Sequence, residues 1–577
     1  MKKLYVYCLV ICFSLLCTDV FAAKVIYDTT QSQTDENADW VTTDVFAAKV
    51  IYDDTHGQTA ENADWVTDGA YSEMADMLKA NGFLIDDLSQ QSTNKKFTAE
   101  LLKDYDAIIL AEPNNPYSEE EASLIVEFVR NGGGLFIIGD HDHSDRDKDG
   151  WDAVSALNMF TPAFGFKLQK DIILYEAPLA GKVNKQHPAM YGFRAVGVWA
   201  GGTFDVFEAP DAKAEGLVYS ARTKSPYIVV SEFGKGRVFA IGDSSPFDDG
   251  TGSERTQTAK GKKLHDSYDS FNYSHPQIAY NAMCWVTGKN PSKRIPSKQV
   301  AFHYEANEAE KSINILIDAA HGNASADKME TFERHMKKCG LKVYYTLNLL
   351  KPSMLKKFGT VILPDPSHKY LETEAQAISQ WCKEGGNLVM GCSWDSSKLR
   401  GTETLNHVLE LSGAIMRFND DQIHDPTNKT NKPWGVLAHT INQESPITKG
   451  VNTSIFWGSC SLIHKDNRVL QDSDDVEILV KGDDDTFNYD GYPKKPAVMY
   501  EPGYGIPMMG IENVGNGRVV LIGCCNFTDY QYPDSDINMA MPGPPPFTHE
   551  TPEMYDNLMR YLAGTLPKEV VAHAADN

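Results

Sequence analysis

Apolar residues along this chain fall into two alternating kinds of run. Short stretches such as Ile108-Ile109-Leu110 and Leu135-Phe136-Ile137-Ile138 are apolar at every position. Between them, Met74, Met77 and Leu78, and then Leu124, Ile125, Phe128 and Val129, recur at helical spacing. The first pattern predicts buried strands at 49–52, 106–111 and 135–138, and the second predicts amphipathic helices over 68–81 and after 118. Ser118 and Glu121 have the spacing of a capping box, Gly82 sits at a helix stop, and Gly132-Gly133-Gly134 ends the second helix. The same order returns later, with strands at 341–345, 360–363 and 387–390 and a helix running through Trp381 to Gly385-Gly386. Wholly apolar strands alternating with helices predict an α/β fold, a mainly parallel sheet with helices on both faces.

The pattern repeats because the sequence does. Ile51-Tyr52-Asp53-Asp54-Thr55-His56-Gly57 is echoed by Leu316-Ile317-Asp318-Ala319-Ala320-His321-Gly322, and Gly234-Lys235-Gly236-Arg237-Val238 by Gly515-Asn516-Gly517-Arg518-Val519. The helix beginning Pro276-Gln277-Ile278 returns as Pro552-Glu553-Met554, and Pro188, Gly192 and Trp199 match Pro446, Gly450 and Trp457. These matches predict two copies of one domain, at 49–290 and 311–568, joined by a linker at 291–310. A residue that carries chemistry in one copy and is replaced in the other has been released from that task.

Length agrees, since 577 residues exceed what one hydrophobic core serves. The N-terminus has the form of a secretory signal, residues 1–22, with Lys2 and Lys3 before an apolar run and Val20-Phe21-Ala22 as a cleavage site. A second Val-Phe-Ala-Ala follows at 45–48 because residues 18–42 are nearly repeated at 43–67. Residues 23–48 are therefore expected to be a disordered leader, as is the tail 569–577. Export to the periplasm, the cell surface or the medium is the expectation, with no transmembrane segment. A net charge of -25 argues against nucleic acid held through a basic face. The cysteines lack the spacing of a disulfide framework.

The glycine break, the buried strand with a tight turn after it, and the closing Gly-x-Gly-Arg-Val strand together resemble the class I glutamine amidotransferase-like superfamily. The similarity is to its ThuA-like and uncharacterised secreted branches, in two tandem copies. The resemblance implies tandem flavodoxin-like domains. It does not imply glutaminase activity. The turn after the central strand reads Gly139-Asp140-His141-Asp142-His143 in the first copy, where an amidotransferase carries its cysteine, and the second copy has Cys392 there but no histidine on the later strand.

Ligands of a parallel sheet sit beyond the carboxyl ends of its strands. The first copy places Asp53, Asp54, His56, Glu112, Asp140, His141, His143, Asp145 and Asp243 there. Like charges at that density are costly unless a cation joins them. His56, Asp140, His141, His143 and Asp243 form an expected set of ligands for a divalent metal, zinc- or manganese-like, that would activate water. Glu112, Asp54 and Asp140 are the expected catalytic carboxylates. Asp145, Asp147 and Asp149, followed by Gly150, have the oxygen spacing of a calcium loop, although Ala156 stands where its closing glutamate belongs. The same residues also admit a metal-free acid–base site, or helix caps and a wet, Asp-rich turn. Matching Asp140 to Cys392, His141 to Ser393 and Asp243 to Cys524 makes the second copy a degenerate one. Trp151, Trp199, Tyr117 and Phe247 are candidate walls of a pocket. The expected function is an exported hydrolase, metal-assisted, acting on carbohydrate or another extracellular polymer. The alternative is a non-catalytic secreted or surface protein that captures a glycan or partner protein.

Overall fold

The apolar runs become the strands of two mixed sheets. The computed structural model describes residues 48–60, 63–174, 182–250, 267–323, 326–394, 401–430, 432–471, 473–489, 497–529 and 549–566. The signal and tail expectations lie outside these residues, as does the leader up to residue 47; Ala48, expected in the leader, instead begins the first strand.

The first sheet has seven strands: β1 (Ala48–Asp53), β2 (Phe83–Asp87), β3 (Ala107–Ala111), β4 (Gly134–Ile138), β5 (Ala212–Tyr219), β6 (Pro226–Phe233) and β7 (Gly236–Ile241). Their spatial order is β2-β1-β3-β4-β7-β6-β5. The first five in that order pair in parallel, and β6 and β5 complete the edge antiparallel. Helix α1 (Ser72–Ala80) and α3 (His275–Val286) cover one face, and α2 (Glu119–Arg130) the other. Side chains alternate between the faces: Tyr52 and Ile109 join the core under α1 and α3, while Ile51 and Ile108 join that under α2. A strand covered on both sides has no solvent face, which is why these runs are apolar at every position.

The second sheet repeats this plan. Its strands are β8 (Asn314–Asp318), β9 (Lys342–Thr346), β10 (Thr360–Pro364), β11 (Asn387–Gly391), β13 (Thr440–Ile441), β14 (Glu477–Lys481), β16 (Pro507–Val514) and β17 (Gly517–Ile522), while β12 (Gln422–His424) and β15 (Phe487–Tyr489) form a separate ribbon. The order is β9-β8-β10-β11-β17-β16-β14-β13, again parallel from β9 to β17 and antiparallel beyond. Helix α4 (Glu330–Lys338) and α7 (Thr551–Leu562) pack on one face, and α5 (Glu372–Lys383) and α6 (Gly401–Ser412) on the other. The ribbon pairs β12 (Gln422–His424) antiparallel with β15 (Phe487–Tyr489).

The capping box at Ser118 and Glu121 forms as the spacing predicts. In the second half, Leu371 stands at the cap position, so only the Glu374 side of that exchange survives. Residues between the sheets pack against both cores: Ile295 joins the first, while Phe302 bridges to Tyr345 of the second. Among the described residues, no helix is long and apolar enough to cross a membrane.

Candidate functional site

Strand register corrects one match between the halves. Ile138 pairs with Ile241 at the end of β4, and Gly391 pairs with Ile522 at the end of β11. Gly139 and Cys392 then donate their N–H groups to the Ile241 and Ile522 carbonyls. Cys392 therefore stands at the place of Gly139, and Ser393 and Trp394 follow at the places of Asp140 and His141. Matching Cys392 to Asp140 misses by one residue. Asp243 and Cys524 do correspond, each two residues beyond its paired isoleucine.

Three predicted acids meet at neighbouring strand ends. Glu112 directly follows β3, Asp140 lies two residues past β4, and Asp243 two past β7, and all three are buried. One cation joins the first two. Arg146 donates Nε to Glu112 Oε1 at 2.6 Å and Nη2 to Asp140 Oδ2 at 3.0 Å, and its backbone N–H donates to Asn114 at 3.0 Å. Its guanidinium also lies 5.7 Å from the Trp65 ring. Burial, reinforced by the Glu112 charge and only partly opposed by Arg146, holds the Asp140 carboxyl well above the ordinary aspartate range. Burial pushes Asp243 up to about 6, against N–H groups donated by Trp199 and Ser245. Glu112 sits at φ +38°, and Asp365, its counterpart after β10, at φ +32°. Both halves thus keep an acid at one strained backbone position. In the second half Asp365 faces thiols, with Cys392 Sγ 3.6 Å from its Oδ1 and Cys460 and Cys524 buried nearby. All the cysteines among the described residues are free thiols.

Other predicted residues have different tasks. Asp54 accepts the Ser89 N–H at 2.8 Å and its hydroxyl, and so holds the chain after β2. His56 is fixed within a buried charge network. Its Nδ1 lies 2.9 Å from Asp53 Oδ1, its Nε2 3.6 Å from Glu121 Oε1, and the Tyr117 hydroxyl donates to Asp53 Oδ2 at 2.7 Å. The second half contains the same four groups: His321 Nδ1 is 2.9 Å from Asp318 and its Nε2 3.3 Å from Glu374, and Tyr370 donates to Asp318 at 2.8 Å. Despite their burial, the two carboxylates facing each imidazole raise the His56 pKa to about 9 and that of His321 to about 10. Retention in both halves marks this network as part of the scaffold. Tyr117 and Phe247, expected as pocket walls, are core residues, and the Tyr117 ring covers His56 at 4.1 Å.

His141 Nδ1 contacts the Asp142 carbonyl at 2.6 Å, while the His143 side chain is exposed. Among the described residues, three groups of ligating side chains converge closely enough for a metal ion: Asp142–His143–Asp152, Asp145–Asp147–Asp149 and Asp425–Asp483–Asp485. The expected set of His56, Asp140, His141 and Asp243 is not among them. His143 instead joins Asp142 and Asp152. Asp152 accepts the His143 N–H and caps the short helix Ala153–Leu157, standing apart from the Asp145 loop.

No family model matches the sequence, and no curated protein does. Among solved structures, the mmIFT52 N-terminal domain is 16% identical with a TM-score of 0.33, covering 43% of this chain and 97% of its own. A ThuA-like protein from Bacteroides uniformis is 16% identical (TM-score 0.28; 46% of this chain and 95% of its own). Another ThuA-like protein, from Parabacteroides merdae, is 15% identical (TM-score 0.27; 43% and 92%).

Proposed function

We propose that this chain is an exported hydrolase acting on carbohydrate or another extracellular polymer, with its reaction centre at Glu112, Asp140 and Asp243. In this reading the halves are tandem glutamine amidotransferase-like domains, and the second has lost the chemistry. One observation carries the proposal: three buried carboxylates stand at adjacent strand ends, two of them sharing one guanidinium, where the second half has Asp365, Ser393 and Cys524. Environments that separate the proton affinities of neighbouring carboxyls assign acid and base roles. Asp140, whose carboxyl is pushed up by burial and the Glu112 charge, serves as general acid. Asp243, with a pKa of about 6, is ionised at pH 7 and serves as general base. Glu112 supports Asp140 and shares Arg146 with it. A divalent metal would be held by Asp142, His143 and Asp152, and calcium by Asp145, Asp147 and Asp149. Its chemistry would be to polarise a bound water or order this loop.

A second reading, capture of a glycan or partner protein without turnover, is favoured by the burial of Glu112 and Asp140 under Arg146. The two are separated by incubating purified full-length protein with a panel of polysaccharides and chromogenic glycosides, with and without chelator, alongside elemental analysis. Hydrolysis by the native chain and a loss of about 10²–10⁴-fold in kcat for Asp140→Asn, with unchanged thermal melting, support the enzyme. Turnover that survives Asp140→Asn, or none on any substrate, removes the assignment.

A further inference from the structure

The outward face of the ribbon formed by β12 and β15 is unusual for its side chains. Residues two apart on a strand share a face, and an outward face is ordinarily polar. Here Phe487 and Tyr489 point the same way and remain 42% and 50% exposed, while Asn488 between them is buried. Register sets His424 opposite Phe487 and Gln422 opposite Tyr489. The His424 ring stacks on Tyr489 at 5.6 Å and meets Phe487 at 5.5 Å and the half-buried Trp434 at 6.0 Å. Four rings therefore adjoin on one side of a two-stranded ribbon.

The platform is held rigid from below, and the Lys432 ammonium lies 5.7 Å from the Trp434 ring at its edge. Asn488 donates to Asp421 and to the Val498 carbonyl, both at 2.8 Å, which pins β15. Gln422 Oε1 lies 2.7 Å from His424 Nε2, which fixes the ring in place. The turn leading into β15 carries Asp483 and Asp485, bonded to Asn428 and Thr427. That turn also lines a shallow depression of about 510 Å³ together with Thr440, Lys481 and Tyr504.

We propose that this ring platform and its acidic turn form a binding surface for a neutral glycan. An exposed apolar patch of this kind marks an interaction site. Aromatic faces take the apolar C–H face of a pyranose, while the carboxylates and amides beside them accept its hydroxyls. The acids of the turn disfavour polyanions, which sets nucleic acids and sulfated chains aside. Phe487 and Tyr489 lie roughly 6.7 Å apart along the strand, a spacing that lets one extended chain meet both rings. This inference rests on the carbohydrate reading above but uses none of its catalytic residues.

The test is retention of the full-length protein on insoluble cellulose, xylan, mannan and starch, with Trp434 fluorescence titrated by the matching hexaoses. The native chain is expected to be retained by at least one of these. The double variant Phe487→Ala/Tyr489→Ala should bind at least 10-fold more weakly with unaltered melting, while Asp140→Asn binds as the native chain does. No retention on any polymer, or equal retention by the double variant, overturns the proposal. So does self-association of the native chain that the double variant abolishes in the absence of glycan binding. Binding without hydrolysis would overturn only the hydrolase, and hydrolysis with unaffected retention in the double variant only the platform.

Discussion

Buried histidines with pKa values raised to about 9 and about 10 make stability depend on alkaline pH. Each imidazolium is more stable folded, between two carboxylates, than in the unfolded chain, where its pKa is about 6.5. Such a contribution is fully present below the unfolded value and is lost as pH rises through the folded one. At 1.36 kcal/mol per unit, going from pH 7 to pH 10 removes about 2.5 kcal/mol through His56 and about 3.5 kcal/mol through His321. Replacing either by glutamine leaves Asp53 and Glu121, or Asp318 and Glu374, without their shared cation, at a cost of about 3–5 kcal/mol at pH 7. Urea titrations at pH 7, 8.5 and 10 on the native chain, His56→Gln, His321→Gln and the double variant read both effects. The native chain should lose stability steeply across this range, each single variant less so, and the double variant least. Equal slopes for the native chain and the double variant would show that the imidazoles are neutral as folded, and the network argument would fall.

Arg146→Met leaves Glu112 and Asp140 buried without a cation, so a loss of about 3–5 kcal/mol is expected at pH 7. Part of it should return by pH 5, because a carboxyl with a raised folded pKa stabilises the fold as it gains its proton. A loss below about 1 kcal/mol in urea titrations, or one that ignores pH, would refute the ion-pair reading. Gly57, at φ +83°, is a second sensitive position: a Cβ there would lie 2.9 Å from Asn114 Cβ and 3.1 Å from the Asn115 nitrogen. Gly288 has a similar φ of +76° with nothing within 4 Å. Gly288→Ala should therefore cost about 1–2 kcal/mol for backbone alone and Gly57→Ala clearly more. Equal melting temperatures for the two variants would show that the His56 turn yields freely.

Much of the scaffold could be read from residues because it obeys local rules. Strands buried on both faces are apolar throughout, and a serine three residues before a glutamate caps a helix wherever it lies. The charge network was harder to see, since Tyr117 and Glu121 reach Asp53 and His56 from more than sixty residues away. Its signal was nonetheless present twice, as Asp-x-x-His-Gly followed later by Tyr-x-x-x-Glu: Asp53, His56, Tyr117 and Glu121, then Asp318, His321, Tyr370 and Glu374. Glu374 persists although Leu371 stands where Ser118 caps the first helix, so the glutamate serves the histidine as well as the helix end. Arg146 escaped notice because it lies in a run of aspartates that reads as a cation loop, and only the fold turns its side chain back onto the strand ends. Counting forward from the glycine breaks, with Gly132 and Gly385 at φ +121° and +118°, places Gly139 on Cys392. The duplication therefore separates two kinds of residue that composition alone mixes together. A histidine with two acids recurs where it holds a turn in place, whereas the Asp140 and Asp243 carboxylates occur in one half only, which is the distribution expected of groups kept for a reaction.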